Sequence, residues 1–127
     1  MQNFLLVGLG GALGAMSRYA VLIAVGRLWP LSFPIGTLLV NIAGSLAMGI
    51  FIGAMARLMP AWGEAARLFV AVGILGGFTT FSSFSLDTIA LIERGDVLLA
   101  GGYVVLSVVI CLIGLYLGLL VTRGGLA

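Results

Sequence analysis

From its second residue onward the chain is a succession of apolar blocks with almost no charge inside them. Uncharged runs extend from residue 28 to 56, from 68 to 86 and from 97 to 122; a further apolar block, Phe4 to Val25, holds only Arg18. A helix needs about 20 apolar residues to cross the hydrocarbon of a bilayer. The pattern predicts four crossings near 3–26, 34–57, 64–93 and 97–122, which make residues 1–127 one transmembrane domain with both ends on one side. The connections are short, with Trp29, Pro30 and Pro34 in the first and Pro60 and Trp62 in the second. Tryptophans there fit the interfacial aromatic belt. The opening MQNFLLVGLGG lacks the basic region of a signal peptide, so it reads as the first crossing rather than a leader.

The third block departs from this pattern. Its residues 76–85 read GGFTTFSSFS, two glycines followed by Thr79, Thr80, Ser82, Ser83 and Ser85. Hydroxyls and helix-weakening glycines at membrane depth are tolerated mainly where they pack against protein or line a wet cavity. The segment therefore predicts a third helix broken near its middle, at a polar passage. Gly76 and Gly77 free carbonyls at the break, and unwound carbonyls in membrane helices coordinate alkali cations. Two subunits meeting there would surround one dehydrated Na+, whose charge offsets the repulsion felt by a buried anion.

Composition confirms the class and removes others. Of 127 residues 62% are hydrophobic and 8% charged, against about a quarter charged in a soluble domain; the mean hydropathy is +1.31. The chain is an all-α integral membrane protein. Its six cations are all arginines and the net charge is only +2, which gives nucleic-acid binding no support. Cys111 is alone, so no intrachain disulfide exists. No nucleophile–base pair or metal-ligand cluster with recognisable spacing is visible, so the chain is not read as an enzyme. Arg57, Arg67 and Arg123 fall on one side of the membrane and Arg27 and Arg94 on the other. Three against two is too weak a bias to set orientation by the positive-inside rule, unless insertion order settles it. Such a chain is able to insert both ways and form antiparallel dimers. Glycines spaced by four (Gly10 and Gly14, Gly49 and Gly53, Gly73 and Gly77, Gly114 and Gly118, with Ser45 extending the second row) let backbones approach closely in lipid. Four helices enclose little by themselves, which also points to an oligomer.

Several side chains carry chemistry. Asn41, in the second crossing, serves either as an interhelical hydrogen bond worth about 0.6 kcal/mol or as a donor to a passing anion. Phe81 and Phe84 are three apart and share a face; as packing residues they need no explanation, but among serines their positive ring edges suit an anion. Ser82 and Ser83 offer hydroxyls beside them. Tyr103, Ser107 and Cys111 recur every four residues in the last crossing, as a seam or as a second polar track. Arg18 costs about 2.5–3.5 kcal/mol at mid-bilayer, and either snorkels or draws anions to a vestibule. Asp87 has Arg18, Arg67 or Arg94 as its candidate partner.

At this point GGALGAMSRY at 10–19, PIGTLLVNIAGSLAMG at 34–49 and GILGGFTTFSSFS at 73–85 resemble the three signature blocks of the Fluc (CrcB-type) fluoride channels. The resemblance covers all four helices. It implies an antiparallel, dual-topology homodimer in the cell inner membrane, with two fluoride pores and a central structural sodium. The sodium carbonyls would be those of Gly76 and Thr79 from each subunit. Asn41 would be the pore amide, Phe81 and Phe84 the aromatic pair contacting fluoride, Ser82 and Ser83 the adjacent hydroxyls. Arg18 matches the family arginine of the first block, and Tyr103, Ser107 and Cys111 the polar track, with a thiol where an oxygen donor is expected. The implied role is passive leak of toxic cytoplasmic fluoride. A small multidrug-type exporter would need a carboxylate in its first helix, which this chain lacks. A non-conducting assembly subunit would tolerate apolar replacement of Asn41, Phe81 and Phe84.

Overall fold

The computed structural model describes residues 1–30 and 32–124. Helix α1 spans Gln2–Leu28 and α2 Ile35–Leu58. The third crossing is built from α3 (Gly63–Ala66), a π-helical stretch π1 (Arg67–Leu75), α4 (Gly76–Phe78) and α5 (Phe81–Glu93). Helix α6 runs Val97–Arg123. All four crossings are long and apolar enough to span a membrane. At 27 residues, α1 and α6 are each about 40 Å long, more than the hydrocarbon requires.

Punctuation in the sequence sets the ends. Pro34 caps α2, because a ring without an N–H fits only at a helix start. Met59 closes it in the left-handed region, φ 45°, just before Pro60. Gly95, at φ +88°, makes the turn between α5 and α6, a conformation that any Cβ would strain. Beside it Arg94 donates from Nη2 to the Ser32 carbonyl at 3.2 Å, tying this turn to the α1–α2 connection.

Small residues decide which helices meet. Gly10 and Gly14 of α1 lie directly against Gly73, Ile74 and Phe78; a Cβ on Gly73 would come 2.9 Å from the Gly10 Cα. Gly49 and Gly53 of α2 meet Leu115, Gly118 and Thr122 of α6 in the same way. The third crossing thus lies along α1 with its first arm, π1 and α4, and turns to α6 with its second, α5.

The change of partner falls at the break, which lies later than the glycine pair predicts. Gly76 is helical, at φ −63° and ψ −37°. The chain leaves the helix at Thr79 (φ −84°, ψ 159°) and Thr80 (φ −154°, ψ 116°). The glycines are used for contact instead: a Cβ on Gly77 would fall 2.6 Å from the Gly11 carbonyl oxygen. A nine-residue π-helix directly upstream was not foreseen; such wide turns are rare and concentrate near functional sites.

Candidate functional site

Two extended residues at membrane depth leave backbone groups that need partners, and Asn41 supplies them. The Thr80 N–H donates to Asn41 Oδ1 at 2.8 Å, and Asn41 Nδ2 donates back to the Thr80 carbonyl at 3.1 Å. Thr80 then caps α5: its Oγ1 accepts from the Ser83 N–H at 3.1 Å, the usual task of a threonine before a helix. The first arm closes on Leu75, whose carbonyl accepts from both the N–H and the Oγ1 of Thr79.

The break releases the carbonyls of Gly76, Gly77, Phe78 and Thr79 from their helical donors. In an unbroken helix the Gly76 oxygen would accept from the Thr80 N–H, which goes to Asn41. The Thr79 oxygen would accept from the Ser83 N–H, which goes to the Thr80 hydroxyl. Gly76 and Thr79 are thus two of the positions whose main-chain oxygens lose their helical donors, and unwound carbonyls of this kind suit a hard alkali cation. Among the described residues no group of three or more His, Cys, Asp or Glu side chains is placed to hold a metal ion.

Beside the break lies a groove of about 330 Å³. Helix α2 contributes Asn41 and Ser45, the break and α5 contribute Thr79, Thr80, Phe81 and Phe84, and α6 contributes Ser107, Val108, Cys111 and Leu112. None of these ten residues is charged. Ser107 is only 6% exposed, and among the described residues its hydroxyl has no hydrogen-bond partner. An unsatisfied buried hydroxyl costs about 1–3 kcal/mol, so this serine is held behind the groove wall at some expense to stability. The Asn41 amide has a second Nδ2 hydrogen beyond the one given to Thr80.

An aromatic row leads away from the groove. Phe81 and Phe84 stand 5.4 Å apart at 48°, Phe84 and Tyr103 5.1 Å apart at 44°, and Tyr103 meets Phe33 edge-on at 5.5 Å. Phe81 is 77% exposed, whereas Phe84 and Tyr103 are buried. The Tyr103 hydroxyl donates to Asp87 Oδ2 at 3.2 Å. Asp87 in turn lines a second cavity, of about 180 Å³, with Thr37, Trp29 and Phe33.

The structure gathers Asn41, Phe81, Phe84, Ser107 and Cys111 at one groove. Tyr103 lies behind it, in the aromatic row. Ser82 and Ser83 do not line it: Ser83 serves the helix cap through its backbone, and Ser82 Oγ rests 3.4 Å from Thr80 Oγ1. Arg18 sits on α1, which packs along the first arm, and lines neither cavity. Among the described residues none of the three candidate arginines, Arg18, Arg67 or Arg94, pairs with Asp87: Arg67 pairs with Glu64 at 2.9 Å and Arg94 with Asp96 at 3.5 Å, and Asp87 accepts from a phenol. Four groove residues were not read as such: Ser45, Thr80 and the apolar Val108 and Leu112. Ser45 follows Asn41 by one helical turn, a spacing that was visible, and Thr80 stands three before Ser83 as a cap should.

The family described as "CrcB-like protein, Camphor Resistance (CrcB)" matches residues 5–119. A fluoride-specific ion channel FluC of Paracoccus denitrificans is 53% identical over 123 residues, covering 97% of this chain and 96% of that protein. The FluC of Hyphomonas neptunium is 48% identical over 123 residues, 97% of each chain. The FluC of Cereibacter sphaeroides is 45% identical over 127 residues, 100% of this chain and 99% of its own. Four apolar crossings, a break in the third and a match along nearly the whole length place the chain in the CrcB-like family of multi-pass membrane proteins.

Proposed function

We propose that the chain is a subunit of a fluoride-selective passive channel that lets cytoplasmic fluoride leave down its electrochemical gradient and so limits its toxicity. The observation that carries the reading is the groove: uncharged donors on apolar walls. Fluoride is small and strongly hydrated, and its water must be replaced by donors. The free hydrogen of the Asn41 amide, the Ser45 hydroxyl and the edges of Phe81 and Phe84 do this without a full positive charge, which would trap the ion. Conduction needs sites that bind well enough to admit an ion and weakly enough to release it.

The working unit is an antiparallel homodimer in the cell inner membrane. The exposed ring of Phe81 and the open groove favour a second copy as cover. The released carbonyls of Gly76 and Thr79 would hold a structural Na+ between the two copies; a bound cation supplies a fixed positive charge near the anion path. Asn41 keeps the Gly76 carbonyl free by taking the Thr80 N–H, and the Thr80 hydroxyl does the same for Thr79 by taking the Ser83 N–H. The arginine of the first block, Arg18, acts at a distance from the groove if it acts on the ion.

The test is fluoride efflux from liposomes holding the purified protein, read with a fluoride electrode and with chloride as control. Rapid fluoride release that needs only a counter-ion ionophore, without chloride leak, establishes the channel. Failure of well-folded protein to release fluoride overturns it. Exhaustive replacement of Na+ by a large organic cation is expected to slow the flux; unchanged flux and no bound sodium would remove the cation site.

A further inference from the structure

The break in the third crossing is seated on α2 at two neighbouring positions, and only one of them is Asn41. Gly44 stands three residues further on, on the same face of α2, and is buried. A Cβ on Gly44 would overlap the Thr79 methyl and come 3.4 Å from Cδ2 of Phe78. The other buried glycines of α2, Gly49 and Gly53, meet α6, so Gly44 is set apart from them by facing the break. The methyl has little freedom to yield. Thr79 is β-branched, and its Oγ1 donates to the Leu75 carbonyl at 2.9 Å, so a turn about χ1 that moved the methyl would break that bond. The adjoining peptide is fixed as well. The Thr80 N–H points at Asn41 Oδ1, and in a planar trans peptide the Thr79 carbonyl points the opposite way. Asn41 thus sets the direction of that oxygen, and Gly44 the depth at which its residue sits.

We infer that Gly44 is a positioning residue for the cation site: the space left by its missing side chain receives the Thr79 methyl and so holds the Thr79 carbonyl in place as a ligand. The inference rests on the proposed reading of the released carbonyls as ligands of the cation. Gly44 touches no ion itself. A Cβ at this position either lifts Thr79 away from α2 or turns its side chain off Leu75; the first displaces the carbonyl and the second loosens it. The supports behind a metal ligand govern affinity because a ligand out of place binds weakly. The same contact ties the two ions together. Asn41, Gly44 and Ser45 belong to one stretch of α2, so the helix that presents donors to the groove is also the one that seats the carbonyls.

The test is a double-mutant cycle in the intact purified protein, with Gly44→Ala, Thr79→Ser and the two combined. Thr79→Ser deletes the methyl and keeps the hydroxyl and the carbonyl, so it empties the space that the new Cβ needs. The readout is the Na+ concentration at which the unfolding midpoint rises, with choline as the replacement cation, since a ligand bound only by the folded state stabilises it. Gly44→Ala is expected to need about tenfold more Na+ than the parent, and the double variant to recover most of that loss. A Gly44→Ala protein that keeps the parent's Na+ dependence overturns the inference. So does a double variant no better than Gly44→Ala, since the alanine then acts on α2 and not through Thr79. If Gly44→Ala fails to fold, folding restored in the double variant supports the contact, and a double variant that fails as well overturns it. If the parent shows no Na+ dependence, the cation reading fails; the same cycle run in choline still reads the contact, and additive effects there overturn Gly44 as a seat for the break.

Discussion

Asn41 does two things with one amide, and substitutions separate them. Asn41→Leu removes both hydrogen bonds to Thr80 and the donor facing the groove. Intramembrane hydrogen bonds average about 0.6 kcal/mol, so a loss of about 1 kcal/mol is expected in a detergent-unfolding measurement, with flux abolished in the liposome assay. Asn41→Asp keeps an acceptor for the Thr80 N–H but places a negative charge where an anion passes; flux should fall by at least about tenfold while stability falls less. Equal flux in Asn41→Asp and the parent would remove the amide from the ion path. The two phenylalanines also separate. Phe84 is buried against Tyr103, and Phe84→Ala should cost about 3–5 kcal/mol, read by the same unfolding measurement. Phe81 is exposed in the single chain, so Phe81→Ile should leave the protein assembled and yet lose most fluoride flux. Normal flux in that variant excludes Phe81 from the mechanism.

At the level of elements, the glycines fall into two kinds that sequence spacing does not distinguish. Gly10, Gly73 and Gly77 sit where any Cβ meets backbone, and Gly73→Ala should destabilise by about 1–3 kcal/mol through overpacking. Gly101 has nothing within 4 Å, and Gly101→Ala should shift stability by no more than about 0.5 kcal/mol, or stabilise α6. The helices themselves were legible because the bilayer dictates their length and the prolines and tryptophans mark their ends. The broken third crossing was legible from its hydroxyls, but not the place of the break. Glycine weakens a helix only when nothing else demands its missing side chain, and here α1 demands it. The release falls instead on Thr79 and Thr80, because a side chain 39 residues away takes up the Thr80 backbone. No local pattern carries such a pairing. The partner of Asp87 was left open among three arginines for a related reason: charge pointed to an arginine, while the fold brings a buried tyrosine within hydrogen-bonding reach. Thr80→Ala tests the break itself. Loss of the cap should cost about 1 kcal/mol in the unfolding measurement and return the Ser83 N–H toward the Thr79 carbonyl, one of the two oxygens proposed for the cation.

For the molecule as a whole, the exposed apolar surface divides between lipid and a second copy. Phe4, Leu98 and Val121 are each at least three-quarters exposed and suit acyl chains. The uncharged groove beside Phe81 does not, since its hydroxyls would face hydrocarbon. Fold class and family were legible from the sequence alone, because hydropathy and three motif blocks are local; the groove was only half legible, because its walls come from three separate crossings. The exchange of partners along the third crossing also bears on how the protein is made. Synthesis runs from the N-terminus, so α1 and the first arm meet early, through Gly10 and Gly73. Helix α2 leaves the ribosome between them, but its own small-residue face waits for Gly118 and Thr122, near the end of the chain. Until those residues arrive, the groove lacks one wall and Phe84 lacks Tyr103. The nascent protein therefore passes through an interval in which half of it is paired and half is not, and a chain stopped before Val97 should be recognised by membrane proteases as unfinished even though three of its crossings are in place.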